Sequence, residues 1–388
     1  MRPKPLHDVR VLDLTRLLPG PVATMHLADM GADVIKIEDT GAGDYARAMG
    51  RAREGMSEIF RLINRNKRGL RLDLKQTAGR EVFLRLARDA EVIVEGFRPG
   101  VMGKLGLDYD SVAAINPRIV FCSISGYGQN GPYRERAGHD INYVGYAGVG
   151  DQIGAEGGEP VVPNFQIADL LGGALTPVMG ILAALVDARA CGKGRYVDVA
   201  MTDAVLAHAI FPLLGYLDGG KAPERGTGML DGGLPCYNVY RTKDDRWMAV
   251  GALERKFWEA ACDTLGCPEL KAKHIVHGGQ AAPVKERLAA IFATRTQGEW
   301  TRVFDAADCC VTPILAIDES LADAQLRARG MIAGANGAVQ FALPLKFSEF
   351  DFSIERAAPG SGEHTAEILR EAGYGDAEIE ALAKNAVI

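Results

Sequence analysis

Two short apolar strands joined through a helix, all within the first forty residues, constrain the fold of this chain more than any other feature. Val9 to Leu14 forms one strand and is broken by Thr15-Arg16-Leu17-Leu18-Pro19-Gly20-Pro21. Val22 to Met30 has helical character and ends at Gly31, and Ala32-Asp33-Val34-Ile35-Lys36-Ile37-Glu38 is the next strand. A β-loop-α-β unit of this kind opens a parallel sheet, because the returning helix carries the chain back to the edge where it began. The alternation continues with a helix over Thr77 to Arg88 and strands over Ala90 to Glu95, Ile119 to Ser125 and Tyr196 to Ala200. The expectation is an α/β, Rossmann-like doubly wound sheet whose ligand crevice lies beyond the C-terminal ends of the strands.

The chain has 388 residues, which at about 100–200 residues per domain implies two or three domains. Asp169 to Ala188 is one long, nearly apolar helix containing Gly172, Gly173 and Gly180. Its most apolar stretch, near 175–186, is interrupted by Pro177 and Gly180 and is expected to be too short to span a bilayer. Residues 218–235 are rich in Gly and Pro and form a loop or linker. Beyond it come a strand at Trp247 to Gly251 and helices at Lys256 to Leu265, Val284 to Thr294 and Glu299 to Ala307. We therefore expect a small α/β domain over 217–330. The large domain then comprises 1–216 and 331–388, with Val339-Gln340-Phe341 and a helix over Glu363 to Ala372 returning to it.

A net charge of −6 supplies no basic field for nucleic acid. The polar N-terminus resembles no secretory leader, and seven scattered cysteines suit reduced thiols. The expectation is a cytoplasmic protein with no membrane partner. Cys262, Cys267, His274 and His277 fit no zinc spacing, so no metal is expected.

Three residues carry candidate chemistry: His139 in Ala137-Gly138-His139-Asp140-Ile141-Asn142-Tyr143, Asp169 in Asn164-Phe165-Gln166-Ile167-Ala168-Asp169, and Glu254 in Val250-Gly251-Ala252-Leu253-Glu254. An imidazole titrates near neutrality and can act as base or acid, and burial raises a carboxyl toward the same range. One such group on each side of a carbon can move a proton from one face to the other. By position Asp169 is also an N-cap for the long helix, which would leave free backbone N–H groups beside it for an enolate oxygen. Asp140 follows His139 directly; adjacent side chains usually point apart, so it is structural rather than the imidazole's partner. Arg65, Lys67 and Arg68, with Arg71 and Lys75 nearby, form the densest basic cluster and could hold phosphates, with Arg16 adding to the mouth of the site. No Gly-x-Gly-x-x-Gly sequence follows Leu14, which argues against a nucleotide redox enzyme.

Several ordered motifs are similar to those of the family III CoA-transferase superfamily. They are Gly31-Ala32-Asp33-Val34-Ile35-Lys36-Ile37-Glu38, Asn64-Arg65-Asn66-Lys67-Arg68, Glu95-Gly96-Phe97-Arg98-Pro99-Gly100-Val101-Met102, Ser125-Gly126-Tyr127-Gly128-Gln129-Asn130-Gly131-Pro132-Tyr133 and the segment around His139. Within that superfamily His139 and Glu254 most resemble the α-methylacyl-CoA racemase branch. The resemblance implies a Rossmann-like large domain, a small domain, and a homodimer whose subunits interlock like chain links. It implies that His139 serves one enantiomer of a 2-methylacyl-CoA, Asp169 the other, and that Glu254 orients the imidazole. It places CoA contacts at Lys36, Arg98, Ala137, Gly138 and Asp140, alongside the basic cluster. The CoA thioester is then the substrate, and no separate cofactor is implied. The rival reading is a CoA-transferase in which Asp169 attacks the thioester to form a mixed anhydride. Gly233-Leu234-Pro235-Cys236-Tyr237 departs from the more usual Gly-Ala-Pro-Phe-Tyr, which leaves the acyl group open.

Overall fold

The computed structural model describes residues 2–334 and 338–388. The chain divides into two compact units, one of residues 1–144, 165–207 and 327–388, the other of 145–164 and 208–326. The segment 145–164, preceding Asp169, thus groups with the second unit.

The first unit is built on six strands: β1 (Arg10–Leu14), β2 (Asp33–Glu38), β3 (Lys67–Arg71), β4 (Val92–Glu95), β5 (Val120–Ser125) and β6 (Tyr196–Ala200). They lie in the order β3-β2-β1-β4-β5-β6, and every pairing is parallel. Val11 stands in register with Val34 on one side and Val92 on the other. The direction of winding reverses between β1 and β4, so the two chain segments leaving these strands splay apart and open a crevice. One face of the sheet buries Leu12, Ile35, Ile93 and Phe121 against Val82, Phe83 and Leu86 of helix α2 (Thr77–Ala87). Ile368, Leu369 and Val387 join that core, so the C-terminal segment completes the domain begun at the N-terminus.

Helix α1 (Pro19–Asp29) begins earlier than its apolar pattern predicts, because Pro19 and Pro21 occupy the first turn, where a missing N–H is harmless. The sequence pattern does not predict strand β3 at all. Lys67-Arg68-Gly69-Leu70-Arg71 looks like a charged surface segment, yet the cations at 67 and 68 are buried. The long apolar helix is present but begins as a wide-turn π-helix over Ala168–Leu175 and continues as α3 (Thr176–Cys191). Pro177 sits in the first α-turn and does not break it. This corrects the interrupted-run expectation: the continuous helix of 24 residues is long and apolar enough to cross a membrane by length and composition. Its glycines instead serve packing within the unit. A Cβ on Gly173 would lie 2.3 Å from the Pro19 Cβ, and one on Gly180 would lie 2.9 Å from a Val197 methyl.

The second unit carries a three-stranded antiparallel sheet of β7 (Tyr237–Arg241), β8 (Trp247–Gly251) and β9 (Val311–Pro313), with β8 in the middle. Trp258, Leu288, Phe292 and Trp300 fill its core. Only the central strand is visible in the sequence pattern; β7 mixes polar and apolar residues, and β9 is three residues long.

Beneath the crevice lies a buried ionic network. Lys67 Nζ donates to Asp13 Oδ2 at 3.0 Å, to the Asn64 side chain at 2.8 Å and to the Pro21 carbonyl at 2.9 Å. Lys36 Nζ pairs with Asp44 at 2.8 Å and donates to the Thr15 carbonyl at 3.0 Å. Both lysines and both aspartates are fully buried. Burial pushes the Lys67 ammonium down to about 8 against the pull of Asp13. Burial alone would raise the Asp13 carboxyl, but Lys67 and Lys36 hold it below its ordinary value. Removing one partner of such a pair leaves the other charged and unsolvated. Lys67→Met should therefore lower unfolding free energy by about 3–5 kcal/mol. Urea denaturation followed by circular dichroism measures this; a loss below about 1 kcal/mol would show that the network does not hold the fold.

Candidate active site

His139 directly precedes a short helix (Asp140–Tyr146), and its backbone N–H donates to Asn142 Oδ1 at 3.0 Å. The loop carrying it is clamped by Tyr143. That ring lies over Gly126 and Gly138, where an added Cβ would come within 2.2 and 2.6 Å of the ring edge. The Tyr143 hydroxyl donates to the Gly138 carbonyl. Only glycine fits at these two positions, and the imidazole itself stays exposed.

Asp169 lies one residue inside the π-helix rather than at its N-cap. The capping is done by Asp140, whose Oδ1 accepts from the backbone N–H groups of Ala168 at 2.7 Å and Asp169 at 3.0 Å. Two consequences correct the expectation from sequence. The Asp169 carboxylate is released from capping and is free to do chemistry. The two N–H groups beside it are already taken, so they are not free donors for an enolate oxygen. Asp140 is structural, as its position suggested, and its structural task is to join the segment of His139 to the helix of Asp169.

The Asp169 carboxyl is pushed up to about 6, by burial first and then by the negative charge of Asp140, while His139 acts in the opposite direction. The imidazole and the carboxyl thus feel one another within a single compact unit. A carboxyl in that range can give or take a proton near neutrality.

Glu254 belongs to the second unit. It is the exposed N-cap residue of helix Arg255–Leu265, and its side chain makes no capping bond there.

The basic cluster expected to hold phosphates is drawn into the framework of the first unit. Arg65, Lys67, Arg68 and Lys36 are all buried, and each is met by a carboxylate. Arg65 forms a bifurcated pair with Asp29, the shortest contact being 2.7 Å, and also donates to Gln340. Arg68 bonds Asp33 at 2.6 Å and also reaches Glu367 and Glu371. The physical reason is β3: once Lys67–Arg71 becomes a sheet strand, its cations are carried inside and need carboxylates. Arg98 remains exposed beyond β4, Ala137 is exposed, and Gly138 is half-buried under Tyr143.

A cavity of about 160 Å³ opens where the winding reverses, lined by Leu14, Arg16, Asp39, Lys75, Phe97 and Val101 among others. Arg16 is held there by Asp39 at 2.8 Å, with its guanidinium carbon 5.3 Å from the Tyr45 ring centre and 5.4 Å from that of Phe97. Arg16 and Lys75 are thus the cations that the crevice presents. Asp39 and Tyr45 carry no sequence signal, and Phe97 lies inside the Glu95–Met102 motif without being marked out by it.

The family model for CoA-transferase family III matches residues 6–365. The chain belongs to this family. It is 36% identical over 388 residues to the human α-methylacyl-CoA racemase, covering 99% of this chain and 97% of that one. It is 34% identical over 398 residues to the mouse succinyl-CoA:glutarate CoA-transferase, covering 99% and 90%. Among solved structures, a CaiB/BaiF family protein from Brucella suis superposes with a TM-score of 0.84 at 31% identity, covering 96% of this chain and all of that one. The family member described here is therefore an enzyme of the family III type, with racemases and transferases both among its relatives.

Asp140→Asn should separate the tether from the charge. The amide oxygen can still accept the two N–H bonds, but the neighbouring negative charge is gone, so Asp169 ionises more easily. If Asp169 acts as a base, the acid limb of kcat/KM, near pH 6 in the wild type, should move to lower pH. A pH–rate profile of both proteins checks this, and a limb that stays in place would remove Asp140 from control of Asp169.

Proposed function

We propose that this protein racemises 2-methylacyl-CoA thioesters, taking the α-proton on one face and returning a proton on the other through an enolate. The observation that carries the reading is the Asp169 carboxyl, raised toward neutrality by burial and Asp140 and close enough to His139 to feel its charge. A proton shuttle needs two groups that can each be charged or neutral at working pH; imidazole is a side-chain type suited to this, and burial brings the Asp169 carboxyl toward the same range. In one direction neutral His139 removes the proton and protonated Asp169 delivers one; the reverse reaction exchanges the roles. Glu254 keeps, by resemblance, its proposed part in orienting the imidazole. The similarity to the human racemase along nearly the whole chain supports the same reading.

The CoA moiety is proposed to lie in the crevice between β1 and β4, with the adenine against Arg16 and Phe97 and the phosphates near Lys75 and Arg98. This replaces the buried cluster at Arg65–Arg68 as the binding surface. The interlocked homodimer remains part of the proposal. Met179 and Val186 on α3 and Leu206 are each at least 60% exposed, as are Ile210 and Leu217 in the second unit, and such a dimer would cover faces of this kind.

A second reading has support of its own. The mouse transferase is nearly as similar as the racemase, and Asp169 could attack a thioester instead of taking a proton. The test is incubation with (R)- and (S)-2-methylacyl-CoA in D₂O without an acceptor acid, following the α-hydrogen by NMR. Racemisation predicts deuterium entering both enantiomers with inversion, and a loss of at least about 100-fold in His139→Ala and Asp169→Ala. Absence of exchange, with CoA transfer to an added carboxylate, would replace racemase by transferase.

Lys75→Ala should raise KM for acyl-CoA by roughly 5–10-fold while leaving kcat near its original value, since a phosphate contact remote from the chemistry contributes equally to ground and transition states. Steady-state kinetics decides this, and an unchanged KM would remove Lys75 from the CoA site.

A further inference from the structure

Tyr143 links the two segments that carry the candidate proton-moving groups. One edge of its buried ring meets both Gly126, just beyond β5, and Gly138, just before His139; a Cβ at either would lie 2.2 and 2.6 Å from the same ring carbon, Cε1. The Tyr127 ring holds it edge to face, with ring centres 5.2 Å apart and planes at 83°. The Tyr143 hydroxyl donates to the Gly138 carbonyl. Burial first and then the charge of Asp169 push that hydroxyl up to about 12, so it stays a donor throughout the neutral range. The Gly126 carbonyl accepts from the Thr202 N–H at 3.0 Å and from the Thr202 hydroxyl at 2.8 Å. Thr202 lies in the first turn of helix Met201–Ala207, and a Cβ on Gly172 of the π-helix would lie 2.9 Å from the Met201 Cα. A continuous packed route thus runs from His139 through Gly138, Tyr143, Gly126 and the start of helix Met201–Ala207 to the π-helix of Asp169.

This route controls something other than the Asp140 cap does. Asp140 fixes where the π-helix begins, whereas the edge of Tyr143 fixes how far the backbone before His139 stands from the end of β5. Proton transfer loses rate steeply when one group is displaced by about 1 Å. A shuttle with two bases loses something more specific. When His139 is displaced, an enolate formed by Asp169 waits longer for a proton on the opposite face. The Asp169 carboxyl meanwhile exchanges the proton it took for solvent deuterium and returns a deuteron to the face it came from. Exchange then occurs with retention instead of inversion.

We infer that Tyr143 is a positioning residue: through the contact of its ring edge and hydroxyl with Gly138 it sets His139 against Asp169, and so decides how often proton removal ends in inversion. The inference rests on the racemase reading. The loss on removing Tyr143 falls on one enantiomer only. An enolate formed by His139 still ends in inversion, because Asp169 delivers its proton from an undisturbed position on the π-helix.

The test compares the wild type with Tyr143→Phe, which keeps the ring and removes the hydroxyl, and with Tyr143→Leu, which removes the ring edge as well. Each enantiomer of a 2-methylacyl-CoA is incubated with the full-length protein in D₂O, and initial rates of deuterium entry and of inversion are measured separately. In Tyr143→Phe the ratio of deuterium entry to inversion should rise by about fivefold or more for the enantiomer that Asp169 deprotonates, and stay at the wild-type value for the other. The rise should be larger in Tyr143→Leu. A purely structural role would slow both enantiomers together with unchanged ratios; that result would overturn the inference, and so would an equal rise for both. Amide hydrogen exchange of the protein without substrate supplies a second measurement. The N–H of His139 donates to Asn142 Oδ1 and that of Asn142 to the His139 carbonyl. Tyr143→Phe should speed exchange at both by at least about tenfold while β5 keeps its wild-type protection, and unchanged protection at His139 and Asn142 would also sink the inference. A wild type that exchanges neither enantiomer would overturn the racemase reading itself, a different result from a wild type that inverts and a variant that keeps its ratio.

Discussion

The first unit depends on two lysines that cannot reach water. Lys36 on β2 and Lys67 on β3 end among Asp13, Asp44, Asn64 and the carbonyls of Thr15 and Pro21. Those acceptors come from the end of β1, the loop into α1 and its first turn, the turn before β3 and the segment after β2. A buried ion pair adds little to net stability compared with an apolar replacement, but its loss on one side is severe. Such a network is therefore intolerant of misplacement, and that intolerance shapes the crevice. The loop after β1 is pinned from below by its own carbonyls. Leu17 adopts a left-handed backbone with φ of 67° and donates its N–H to Asp44. Arg16, between them, is held outward against Asp39 and the rings of Tyr45 and Phe97.

A single shared contact likewise governs the candidate catalytic groups. Asp140 lies next to His139 in sequence and next to Asp169 in space, and one oxygen serves both relations by accepting the two first N–H groups of the π-helix. The same carboxylate that fixes the helix raises the carboxyl at 169. Position and acidity of Asp169 are consequently tied to one neighbour, acting together with burial. The wide turn of the π-helix and the glycines at 172 and 173 allow that helix to lie close against Pro19 and Met201, so the carboxyl is carried on a segment docked to the same loop as the crevice.

Much of the sheet is legible in the sequence because five of its strands are apolar runs bounded by breaks, and burial on both faces demands such runs. Strand β3 escapes because a strand rich in lysine and arginine resembles a solvated segment unless the carboxylates that will meet it are known. Asp29, Asp33 and Glu371 come from distant parts of the chain, and no local pattern announces the meeting. The same blindness makes a framework strand read as a basic surface cluster. His139 and Asp169 stand out through their motifs, whereas Asp140 looks like a bystander because its partners are 28 and 29 residues away.

By itself the sequence determined the alternation of strand and helix, the parallel sheet that follows from it, and the residues proposed to move a proton. These are local or compositional properties: periodicity, breaks in the chain and the intrinsic acidity of side chains. Only the tertiary structure decided which charges are neutralised inside and which stay at the surface. It decided that the helix cap is Asp140 and not Asp169, and that Arg16 and not Arg65 looks into the crevice. The reason is that an ionisable side chain takes its role from its solvation and its neighbours, and both are set by residues that folding brings together from far along the chain.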